Sequence, residues 1–164
     1  MKHRELIRRS PKSAVKRYRN IVRPINQIAT EINSTLDKRK TEEYFEGVIL
    51  LYSFIENLLK WLVCVELLWK GASSLPRKLD FYDAQCKALT LKLITQTQFK
   101  RIDSIRKERN NVVHQFWLWR HRGNRSVLRR KLEKLARIAN DLVGVFNTLT
   151  RKVGVDEVYG FFPY

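Results

Sequence analysis

Between Thr41 and Gly71 the chain repeats Phe45, Val48, Ile49, Tyr52, Ile55, Leu58, Leu59, Leu62 and Val63 at helical spacing without a proline. This run constrains the fold more than any other segment, because a long apolar stripe must be covered by further helices. Thr41 can cap the helix, Glu42 and Glu43 sit in its first turn, and Gly71 ends it. Within it, Val48 to Trp69 is the most membrane-like segment of the chain, yet Glu56, Lys60 and Glu66 fall inside it. Each would cost about 2.5–3.5 kcal/mol near a bilayer centre, so a buried core helix and no membrane association are expected.

The remaining signals are also helical. Ser10-Pro11 starts a first stretch that Pro24 kinks or restarts and that runs to about Leu36. Gly71 to Asp80 reads as a loop, and Asp80 caps a short helix to about Leu93. Thr95-Gln96-Thr97-Gln98 has capping-box form and opens a helix with the stripe Phe99, Ile102, Ile105, Val112, Val113 and Phe116. After a turn at Gly123-Asn124, Ser126 caps a last helix with Leu128, Leu132, Leu135, Ile138, Leu142, Val145, Phe146 and Leu149 on one face. No period-2 run, phosphate-binding glycine loop or repeat occurs. The expected fold is an all-α antiparallel bundle of about five helices. Its expected divisions are a basic N-terminal helical arm over 1–40, the bundle over 41–152 and an aromatic tail over 153–164. The tail puts four aromatics in Val158 to Tyr164, which can fold back onto the domain or dock a partner.

Cys64 and Cys86 lie in apolar helical segments without metal or disulfide spacing, which fits a reducing cytoplasm, and the basic first twenty residues lack a signal-peptide core. The net charge of +17 is uneven. Residues 2 to 23 carry nine Lys and Arg against Glu5, and Arg120 to Arg137 carry eight against Glu133. Charge gathered this way suits a polyanion, above all a phosphate backbone, so RNA is the expected partner. Arg106, Arg120, Arg122, Arg125, Arg129 and Arg130 are the expected RNA contacts.

One short stretch bears on chemistry. Arg109-Asn110-Asn111-Val112-Val113-His114 sets an arginine near the middle of an apolar stripe and a histidine five residues later. On a helix the two lie roughly 140° apart around the axis and about 7.5 Å along it, so they do not pair on one face. Asn110 and His114 are (i, i+4) neighbours on a second face, beside Arg106 and Trp117. A site using all three residues needs another surface packed against this helix. The plainer alternative is that Arg109 pairs with a buried acid and His114 merely ends the helix.

The helical setting, the apolar helix with Glu56-Asn57 and Lys60, and the Arg109-Asn110-(x3)-His114 spacing resemble the HEPN superfamily, whose members carry an Arg-x4-6-His motif. The likeness covers roughly residues 41 to 150. It implies catalytic roles for Arg109, Asn110 and His114, and a homodimer in which both motif helices line one cleft. It also implies metal-independent cleavage of RNA in toxin-antitoxin or phage-defence settings, with a protein antitoxin or a nucleotidyltransferase-like partner. Members paired with such a transferase often carry a tyrosine two residues after the histidine. Phe116 stands there in this chain, so modification at that position is not expected.

The residue types fit this chemistry. Attack by the RNA 2′-hydroxyl needs a proton-moving group near neutral pH, which His114 can supply, and a fixed cation at the phosphorane, which Arg109 can supply. Asn110 can hold the phosphate or the imidazole tautomer. Glu56 can orient Arg109 if the two helices pack, or can equally form an (i, i+4) pair with Lys60. His3 and His121 read as surface residues in basic segments. No cluster has metal-ligand spacing and no cofactor is expected. The rival reading is a non-catalytic basic helical module that holds RNA or docks a partner.

Overall fold

The computed structural model describes residues 27–34, 41–115, 117–118 and 124–153. These form an all-α bundle: α1 (27–34), α2 (Thr41–Trp69), α3 (Phe81–Thr90), α4 (Gln96–His114) and α5 (Arg125–Val153). Among the described residues there is no strand.

Helix α2 is the centre. Beyond the expected stripe, Leu51, Phe54, Trp61 and Val65 are also fully buried, because α2 is covered on most of its sides. Its widest packing is against α5, where Trp61 stacks on Phe146 with ring centroids 4.0 Å apart. By length and composition Tyr44–Trp69 could cross a membrane, but here two thirds of that apolar window (67%) is buried inside the bundle. Ala29 and Ile32 of α1 join the same core, so packing begins before position 41.

The helix ends follow from local chemistry. Helix α2 stops where Gly71 takes φ +81°, with Gly71 N–H donating to Leu68 O and Ala72 N–H to Leu67 O. Asp80 caps α3 by accepting from Asp83 N–H, and the Thr95–Gln98 capping box opens α4. Helix α5 differs from expectation. Asn124, not Ser126, is its cap, because Asn124 Oδ1 accepts from Ser126 N–H at 2.9 Å.

Direction also departs from strict alternation. Helices α4 and α5 run antiparallel, with Arg101 near Asp141 and Glu108 near Lys131. Helices α2 and α5 run parallel, since Arg125 lies over the Tyr44 ring and Trp61 over Phe146. The ten residues of α3 span only about 15 Å. That is too short to traverse the bundle, so α3 acts as a crossing connection and leaves α4 to return alongside α2.

Candidate functional site

The site is built where α4 leans on α2. Ile102, Ile105 and Val112 are buried and fix which side of α4 faces the core. Arg109 falls among them, and its side chain remains 34% exposed. On α2, Glu56 faces it: Arg109 NH1 lies 3.2 Å from Glu56 Oε2. The other carboxylate oxygen, Oε1, accepts from Lys60 Nζ at 2.5 Å, one turn along α2. Glu56 thus takes both partners that the sequence left as alternatives. One carboxylate, 16% exposed, stands between two cations and leaves a net positive charge facing outward.

Asn110 and His114 are exposed, His114 as the last residue of α4. Among the described residues, no hydrogen bond or ion pair joins Arg109, Asn110 and His114; for Arg109 and His114 their separation around the helix accounts for this, while Asn110 and His114 share a face without bonding. Val113, placed on the apolar stripe by periodicity, is half exposed, and Trp117 and Leu118 are exposed beyond it. Val112 next to Val113 is buried, so the cover here reaches one side of α4 and Val113, about 100° round the axis, lies outside it. Phe99 is partly buried against the core, and Phe116 lies outside the described residues.

Sequence reasoning missed a second charged junction. Glu108, beside Arg109, pairs with Lys131 and, at 3.4 Å, with Lys134, tying α4 to α5. Burial pushes the Glu108 carboxyl up, but Lys131 and Lys134 outweigh it and hold the group below its ordinary value. Tyr52, one turn before Glu56, has a buried hydroxyl with no hydrogen-bond partner among the described residues, and burial together with the Glu108 charge pushes its pKa up. The available signal was spacing. Glu108 lies four residues before buried Val112, and Lys131 and Lys134 flank the core residues Leu132 and Leu135.

The arginines expected to meet RNA are variously engaged. Arg106 donates to Asp103 at 2.8 Å and stacks 4.8 Å from the Tyr82 ring centroid. Lys107 and Arg106 together hold the Asp103 carboxyl below its ordinary value. Arg125 lies over Tyr44, Arg129 pairs with Glu133 at 3.1 Å, and Arg130 donates to Ser126 O; all three are exposed on α5. Arg120, Arg122, His3, His121 and the aromatic tail lie outside the described residues. Among the described residues no group of three His, Cys, Asp or Glu side chains is placed to hold a metal ion. Cys64 is buried and Cys86 half-buried, and the two are not joined to each other in a disulfide.

No family model, curated protein or solved structure matches this chain. The HEPN resemblance therefore stands on the Arg109–His114 motif and its helical setting.

Proposed function

We propose that the protein is a metal-independent endoribonuclease of HEPN type that works as a homodimer through its motif helices. The observation that carries this reading is the tether of Arg109. A cation on the core-facing side of α4 is held by Glu56 of α2 yet keeps a third of its surface open, on the helix that also presents Asn110 and His114. Exposed Val113, Trp117 and Leu118 adjoin these residues and offer the apolar surface that a second copy would cover.

In this mechanism the His114 imidazole takes the proton of the RNA 2′-hydroxyl. The 2′-oxygen attacks the adjacent phosphorus, and the bond to the 5′-oxygen breaks. That oxygen leaves with a proton, which the imidazole of a second copy would give in the proposed dimer. The Arg109 guanidinium stabilises the charge on the phosphorane oxygens. The products are a 2′,3′-cyclic phosphate and a 5′-hydroxyl. Exposed arginines of α5 supply sequence-independent attraction to the strand. If about four phosphates are neutralised, log affinity falls with log salt at a slope near −3.

The test is incubation of purified protein with labelled RNA in EDTA, with end-group analysis, beside His114→Ala. Cleavage that survives EDTA and is lost in the variant sustains the reading. Cleavage stopped by EDTA alone, or equal in His114→Ala, replaces it with the non-catalytic RNA-binding module. Light scattering that shows a monomer at micromolar concentration removes the shared cleft.

A further inference from the structure

Beside the Glu56 pair lies an open groove of about 410 Å³, lined by Lys60, Cys64, Pro76, Arg77, Lys78 and Leu79. It runs between α2 and the connection from Gly71 to Asp80. A volume of this size falls within the range of sites that hold a small organic ligand. Its charge is one-sided. Lys60, Arg77 and Lys78 contribute three cations, and the one lining acid, Asp80, has its carboxylate engaged in capping α3. Lys78 forms no ion pair among the described residues. Pro76 and Leu79 add apolar wall, so the groove offers both a seat for a phosphate and a surface for a ribose or base.

The groove also connects to the candidate site. Lys60 is a lining residue and at the same time the partner of Glu56, whose other oxygen holds Arg109. The two cations therefore flank one carboxylate, which places them within reach of neighbouring phosphates of a single strand. Lys60 has three donors and gives one to Glu56, so it can meet a phosphate without leaving its partner.

We propose that this groove is a nucleotide subsite for single-stranded RNA, taking a phosphate at Lys60, Arg77 and Lys78 and the attached nucleoside against Pro76 and Leu79. Its place in the strand, next to the phosphate at Arg109, rests on the nuclease reading; binding of a strand in the groove does not. An occupied groove fixes the strand relative to Arg109 and selects substrates that extend at least one nucleotide beyond the cut.

The experiment compares the parent chain, Arg77→Ser/Lys78→Ser and a charge-matched control, Lys87→Ser/Lys100→Ser. The control removes two exposed cations outside the groove. Each is titrated with a 2′-deoxy 12-mer, which binds but has no 2′-hydroxyl to attack, over a range of salt. The groove variant should lose about tenfold in affinity, and its salt slope should fall by about 0.7 for the lost phosphate contact. The control should lose threefold or less. Equal losses in the two variants, or no loss in either, overturn the proposal. Adenosine 5′-monophosphate provides the second arm. Saturable binding of the monophosphate that depends on Arg77 and Lys78, with 12-mer affinity unaffected by their loss, assigns the groove to a free nucleotide and also overturns it. Cleavage of RNA in EDTA is scored separately. Groove-dependent binding without cleavage leaves the subsite standing and removes the nuclease, while cleavage with equal binding losses does the reverse.

Discussion

Glu56 and Arg109 lie 53 positions apart in the chain, yet Glu56 Oε2 is 3.2 Å from Arg109 NH1 while Glu56 Oε1 holds Lys60. This junction sets the position of the guanidinium. Without an acid on α2, an arginine in this part of α4 would swing out to water. With the acid in place, its planar fork is fixed with one edge inward and the other available.

Removing the acid should loosen that position. Glu56→Gln keeps the shape but leaves two cations beside a neutral amide. Partial exposure discounts the pair's worth, and the expected loss of stability is about 1–2 kcal/mol, between a surface pair and a buried one. Urea denaturation measures it. On the nuclease reading, cleavage should fall about tenfold in kcat with KM little changed, and Glu56→Asp should restore part of it. A KM effect alone would argue against a positioning role.

His114→Ala should leave folding intact, because His114 is exposed at the end of α4. The expected loss of cleavage is about 10²–10⁴-fold, the usual worth of general acid–base catalysis, with RNA affinity little altered. Arg109→Lys keeps the charge but loses the planar fork, and should also cleave poorly. Parallel melting curves and gel-based cleavage separate loss of function from loss of fold.

Acid should weaken the α4–α5 junction. Lys131 and Lys134 hold the Glu108 pKa below its unfolded value, so this pair contributes stability above the ordinary carboxylate pKa of 4.5. That contribution is lost as pH falls from there through the lower folded value. Glu108→Gln should be less stable than the parent at pH 7, and the gap should narrow below about pH 4.5. Denaturant midpoints across pH 3 to 7 decide it, and a gap constant with pH would refute the assignment.

Lys92 takes φ +58° just past α3, in the left-handed region, where its N–H donates to Leu89 O. Lysine there costs about 1 kcal/mol, part of which glycine recovers against its greater unfolded freedom. Lys92→Gly should therefore stabilise the protein by about 0.5 kcal/mol. A lower denaturation midpoint in the variant would contradict this.

The spacing of apolar residues determined that α2 is a helix that must be buried, and it determined the inner face of α5, where Leu128, Leu132, Leu135, Ile138, Leu142, Phe146 and Leu149 are all buried. Local hydrogen-bonding chemistry likewise determined the Asp80 cap and the Thr95–Gln98 box, because both depend on residues within one turn. The sequence also placed Arg109 on the core-facing side of α4. It could not decide between Lys60 and Arg109 as the partner of Glu56, since periodicity gives the angle of a residue around its axis and says nothing of how far one helix slides along another. Only the tertiary structure settled that register, and the answer was both. It also decided that α2 and α5 run parallel, because α3 is too short to traverse the bundle, and that Val113 lies open, because the packing at this end of α4 covers the side of Val112 only. The groove at Lys60, Arg77 and Lys78 was hidden for the same reason: a loop residue has no periodicity, and its neighbours are fixed only once the helices on either side have packed.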